Sequence, residues 1–78
     1  MNTLTISGIN LDNNTNVTLT LKASNPFMLV SKYLEARKPL HIEDFTLINN
    51  EMHGGNSGIN AGAYLCEAME ELTGMNLA

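Results

Sequence analysis

The chain has no tryptophan and a single cysteine, Cys66. No internal disulfide can brace it, so packing must hold it, which fits a reducing compartment. No apolar run approaches the roughly 18–20 residues of a membrane span. Residues 1–7 carry neither the basic start nor the continuous apolar stretch of a signal peptide. Together these absences predict a soluble, cytoplasmic protein with no membrane association. Basic residues are scarce as well: four Lys and Arg stand against eight Asp and Glu, for a net charge of −4. Binding to nucleic acid depends on neutralising phosphates with Lys and Arg, so direct contact with DNA or RNA is disfavoured.

What the chain does have is apolar material. Of its 78 residues, 44% are hydrophobic and only 15% charged, a balance that supports a core rather than disorder. The length suits a single domain over residues 1–78. A core this small leaves stability marginal, and a homodimer is one remedy.

Hydrophobic periodicity predicts the elements. Leu4 and Ile6 alternate with Thr3, Thr5 and Ser7, as in a strand with one buried face at about 2–9. A turn-forming cluster at 12–16 follows, then Val17, Leu19 and Leu21 alternate with Thr18, Thr20 and Lys22, which makes a β-hairpin. Asn25 before Pro26 reads as a helix N-cap with proline at the first helical position, and Pro39 forbids continuation, giving a helix over about 26–38. Phe45 and Leu47 mark a strand at about 43–50, whose acids Glu43, Asp44 and Glu51 suit a sheet edge. Residues 54–58, Gly-Gly-Asn-Ser-Gly, read as a loop with Asn56 or Ser57 capping a second helix that Gly74 ends.

The resulting expectation is a small α+β domain of order ββαβα, a three-stranded, mainly antiparallel sheet packed against two helices. Its predicted core takes Leu4, Ile6, Val17, Leu19, Leu21, Phe45 and Leu47 from the strands. The helices add Phe27, Val30 and Leu34, then Ile59, Ala63, Cys66, Met69 and Leu72.

Catalytic and metal signatures fail in turn. His41, His53 and Cys66 lie 12 and 13 positions apart, without the close pairing that puts two ligands on one local scaffold. His41-Ile42-Glu43 matches a fragment of the zinc deaminase motif, but the Pro-Cys-x-x-Cys partner is missing. Cys66 on an apolar stripe reads as a small core hydrophobe rather than a nucleophile. Residues 54–58 open a helix without the lysine of a P-loop. Acyl carrier proteins are also short and acidic, but they carry Asp-Ser-Leu where this chain has Asn56-Ser57-Gly58. Two asparagine sequons near residue 14 read as turn residues. No enzyme activity, cofactor or metal is expected.

The informative pattern is the placement of charge. All four cations, Lys22, Lys32, Arg37 and Lys38, lie in residues 1–38, which carry a net +2. Residues 39–78 hold Glu43, Asp44, Glu51, Glu67, Glu70 and Glu71 with no Lys or Arg, a net −6. Glu67, Glu70 and Glu71 share one helix face near a C-terminus, where the helix dipole disfavours negative charge. Violations of local rules concentrate at functional sites. The expected partner-binding residues are therefore Glu67, Glu70 and Glu71, joined by Glu43, Asp44 and Glu51, and the expected partner is a basic protein surface such as that of a nucleic-acid-binding complex.

In size and charge this profile resembles the phage and mobile-element inhibitors of bacterial defence, of the anti-CRISPR and anti-restriction kinds. The resemblance implies a non-enzymatic inhibitor that occupies a nucleic-acid-binding surface, and it carries over no individual residue. Two other readings stand beside it. One is an oligomerisation or adaptor module using an apolar surface; the other is a binder of small anionic ligands at the loop from Gly54 to Gly58.

Overall fold

The computed structural model describes residues 1–49 and 53–77, with His53 described by its backbone alone. Its elements are β1 (Asn2–Asn10), β2 (Thr15–Ala23), α1 (Pro26–Ala36), β3 (Leu40–Ile48), β4 (His53–Ser57) and α2 (Ala61–Thr73). The strands form one sheet in the order β2-β1-β3-β4, with every neighbouring pair antiparallel. Both helices pack on one face, α1 over β2 and β1, α2 over β3 and β4. The protein is thus a small α+β fold with four strands rather than the three expected.

The hairpin forms as its sequence predicts. Its four-residue connection is built by asparagines: Asp12 N donates to Asn10 Oδ1 at 2.9 Å, and Thr15 Oγ1 donates to Asn13 Oδ1 at 2.6 Å. Asn14 takes the left-handed conformation at φ 57°, which asparagine tolerates better than most residues. The cap of α1 also forms, since Met28 N donates to Asn25 Oδ1 at 2.9 Å with Pro26 opening the helix. At the other end Gly74 closes α2 at φ 73°.

The extra strand corrects the loop expected at Gly54–Gly58. A Gly-Gly-Asn-Ser run has low strand propensity, yet residues 53–57 pair with β3 from Ile48 to Asp44. Backbone proximity decides the matter: a Cβ on Gly55 would collide with the Phe45 carbonyl. With β4 in place, β3 becomes an interior strand and not the edge its acids suggested. The second helix accordingly starts at Ala61, with Asn60 as its cap residue and no side-chain capping bond, in place of Asn56 or Ser57.

The register of β3 on β1 shifts once. Ser7 faces Asp44 and Gly8 faces Ile42, which leaves Glu43 as the extra residue of a bulge. The Glu43 carbonyl accepts from Gly58 N at 2.9 Å, and Gly58, at φ 106°, turns the chain from β4 toward α2. The bulge therefore helps to set where α2 begins.

The core is centred on Leu4, Ile6, Leu29, Val30, Tyr33, Phe45, Leu47, Leu65 and Met69, with Ala23, Ile42 and Ala61 completing it. Several expected members are displaced. Phe27 is 57% exposed, and in α1 the buried line passes through Leu29, Val30 and Tyr33 instead. Ile59 is 89% exposed and Ala63 is exposed, because α2 buries Ala61, Leu65 and Met69, with Leu72 packed beside them. That line carries the longer side chains, so it wins over the Ile59-Ala63-Cys66 line, which lies roughly a quarter to half a turn away. Cys66 is only partly buried. Val17, Leu19 and Leu21 face the helices but stay half-exposed, as expected on an edge strand.

Close approach at the centre of the sheet gives a sharp test. A Cβ on Gly8 would collide with the His41 carbonyl oxygen, whereas one on Gly54 meets nothing within 4 Å. Urea unfolding should show Gly8→Ala destabilised by about 1–3 kcal/mol, the usual cost of overpacking, while Gly54→Ala stays within about 0.5 kcal/mol of the parent.

Candidate functional site

Strand order converts the charge asymmetry of the chain into a lateral asymmetry of the molecule. The N-terminal hairpin and α1 build one side of the sheet, and β3, β4 and α2 build the other. The side built from β3, β4 and α2 has no Lys or Arg. Glu67 and Glu71 are exposed on α2. Glu70 is half-buried, and its Oε2 accepts from Leu77 N at 2.8 Å, folding the C-terminal residues back so that Leu77 packs against the core. This contact gives Glu70 a structural task.

The strand acids lie elsewhere. Asp44 pairs with Ser7 and Ser57, and paired residues share a face. It therefore points to the open face of the sheet, opposite the helices. That face is rich in hydroxyls, among them Thr3, Thr5, Thr18, Thr20 and Thr46, and Ser7 Oγ lies 3.2 Å from Thr18 Oγ1. Glu43 is exposed at the bulge, and Glu51 lies outside the described residues. The sheet thus stands between Asp44 and the α2 carboxylates, and one flat partner surface cannot touch both groups.

Under β4, where Gly54 opposite Leu47 carries no side chain, Phe45, Leu47, Gly54, Gly55 and Ala68 line an apolar cleft of about 110 Å³. A second, larger cavity of about 260 Å³ opens between the C-terminal end of α1, the start of β3 and the first turns of α2. Tyr33, Arg37, His41, Ile42, Gly62 and Cys66 are among its lining residues. Arg37 Nη1 donates to the Tyr33 hydroxyl oxygen at 3.3 Å, and its guanidinium sits 5.3 Å from the Tyr33 ring centroid, a cation–π distance. The Cys66 thiol lies beside both groups in the lining.

The electrostatics of this cluster follow from burial. Tyr33 is 1% exposed, and desolvation raises its phenol above the ordinary value, against a lowering by the hydrogen bond and charge of Arg37. Arg37 is raised in turn, first by its hydrogen bond to Tyr33, so it remains a cation beside a neutral phenol. Among the described residues, no carboxylate contributes to the environment of Arg37. No group of three or more metal-ligating side chains occurs among those residues either.

No protein-family model, curated protein or solved structure matches the chain.

Sequence reasoning did not find the Arg37 cluster. Pro26, Val30, Tyr33 and the C-cap residue Arg37 fall in line at helical spacing, but a cation at the C-terminal end of a helix already suits the helix dipole, so nothing local singled it out.

Two measurements follow. Below pH about 10 the raised Tyr33 phenol contributes stability, because the unfolded chain ionises first; that contribution is lost as pH climbs from about 10 through the folded value. Urea unfolding across this range should show the loss, and Tyr33→Phe should flatten it. Glu70→Ala should lower stability by about 1 kcal/mol through release of the Leu77 amide, with increased proteolysis confined to residues after Gly74.

Proposed function

We propose that this chain is a small non-enzymatic protein-binding domain, an inhibitor whose acidic side docks on a basic, nucleic-acid-binding surface of a bacterial defence complex, in the manner of anti-CRISPR or anti-restriction proteins. The observation that carries the reading is the sheet order, which gathers the cation-free half of the chain on one side of the molecule. On that side the exposed pair Glu67 and Glu71 offers carboxylates one helical turn apart. The apolar cleft beside Ala68 adds a recess that an aliphatic side chain of the partner could fill. A surface of this kind speeds encounter with a basic partner and excludes acidic ones. Glu70 is assigned to the fold rather than to the interface, and Asp44 lies on the far side of the sheet.

The adaptor reading has an observation of its own, since Phe27 and Met28 expose apolar surface side by side at the start of α1. Charge reversal separates the two. With Glu67 and Glu71 both changed to Lys, circular dichroism and unfolding should match the parent, because cations suit the C-terminal half of a helix. Capture of a basic partner from bacterial lysate should weaken by more than tenfold, about 1.4 kcal/mol, mostly through a slower association rate at low salt. Undiminished capture by this variant, together with loss of capture on Phe27→Ser, would transfer the function to the apolar surface.

A further inference from the structure

The geometry points to a second site, where the acidic side meets α1: the cavity between α1, β3 and α2 binds a small organic carboxylate, with Arg37 holding the carboxylate group. The cavity measures about 260 Å³, just below the roughly 300–1,000 Å³ typical of small-molecule pockets, so its occupant is small.

Two features select an anion. Arg37 presents a planar fork suited to two parallel hydrogen bonds with a carboxylate, and its described neighbours are the Tyr33 phenol and the Cys66 thiol rather than an acid. The first turn of α2 reaches the cavity through Gly62 and Ala63, and that helix of 13 residues begins without a side-chain cap. The N-terminal N–H groups of a helix favour negative charge, so they add to the field of Arg37. The protein as a whole is acidic, yet in this cavity a cation faces an open, partly apolar space.

Shape narrows the class. Leu40, Ile42, Ile59 and Ala63 supply apolar wall, which inorganic phosphate would leave unused and a short aliphatic acid would cover. Gly62 keeps the wall low, its nearest neighbour to a Cβ being Ile42 at 3.8 Å. Cys66 is partly exposed in the lining, and it reports on occupancy by its chemistry.

Iodoacetate is a small carboxylate that alkylates thiols: sulfur bonds to the methylene carbon, iodide leaves, and the thiol proton passes to solvent. Iodoacetamide reacts identically but carries no charge. In the native protein the rate ratio of iodoacetate to iodoacetamide at Cys66 should exceed that of the urea-unfolded chain by at least tenfold. Arg37→Gln should return the ratio to the unfolded value, and Arg37→Lys should keep part of it. Propionate should slow both reagents. An unchanged native ratio, or a raised ratio indifferent to Arg37→Gln, would overturn the site. Protection by inorganic phosphate equal to that by propionate would overturn the assignment to an organic acid. If neither reagent reaches Cys66, amide shifts of Gly62 and Ala63 during propionate titration read the same binding, and their absence refutes it.

Discussion

At Gly8 the backbones of β1 and β3 meet more closely than any side chain permits, and much of the molecule is arranged around that contact. The approach sets the register on both sides of the step: Leu4 and Ile6 lie opposite Leu47 and Phe45, and Gly8 lies opposite Ile42. The leftover residue is Glu43, whose carbonyl receives Gly58 and so turns the chain toward α2. A glycine in an interior strand thereby helps to position a helix five elements later. Bulges commonly re-aim the chain next to functional sites, and here the re-aimed helix forms one wall of the Arg37 cavity.

The parts of the fold legible in the sequence are those fixed by local chemistry. The hairpin, the Asn25–Pro26 start of α1 and the Gly74 stop each rest on side chains bonding or permitting their own neighbouring backbone. The parts that were not legible depend on distant contacts. Residues 53–57 have little strand propensity, and they become a strand because Phe45 and Thr46 offer a partner that only a glycine can approach so closely. Helix phase was ambiguous for a different reason. Both helices carry apolar residues around more than half their circumference, so several stripes fit the period, and the sheet chooses one. Cys66 was misplaced in this way, and with it the cavity it lines.

Of the candidate site, the separation of charge was visible in the order of residues, but its direction in space was not. Antiparallel order β2-β1-β3-β4 keeps each half of the chain on its own side, whereas an order that interleaved the halves would have mixed Lys22 with Glu67 and erased the asymmetry. The pleat then divides the acids again, since alternate residues of a strand face opposite ways. Asp44 and the α2 carboxylates end on different faces despite sharing a side.

The sheet leaves two free edges, and they differ. β4 is five residues long and rich in glycine, a poor template for further pairing. β2 has nine residues of alternating threonine and aliphatic side chains, which is the composition of a strand that readily recruits others. Its open rim is closed at one point by Lys32, whose ammonium donates to the Lys22 carbonyl at 2.6 Å. This lysine acts as a molecular doorstop. Acylating it would remove the charge and all but one of its N–H donors, leaving the β2 edge freer to pair with another strand.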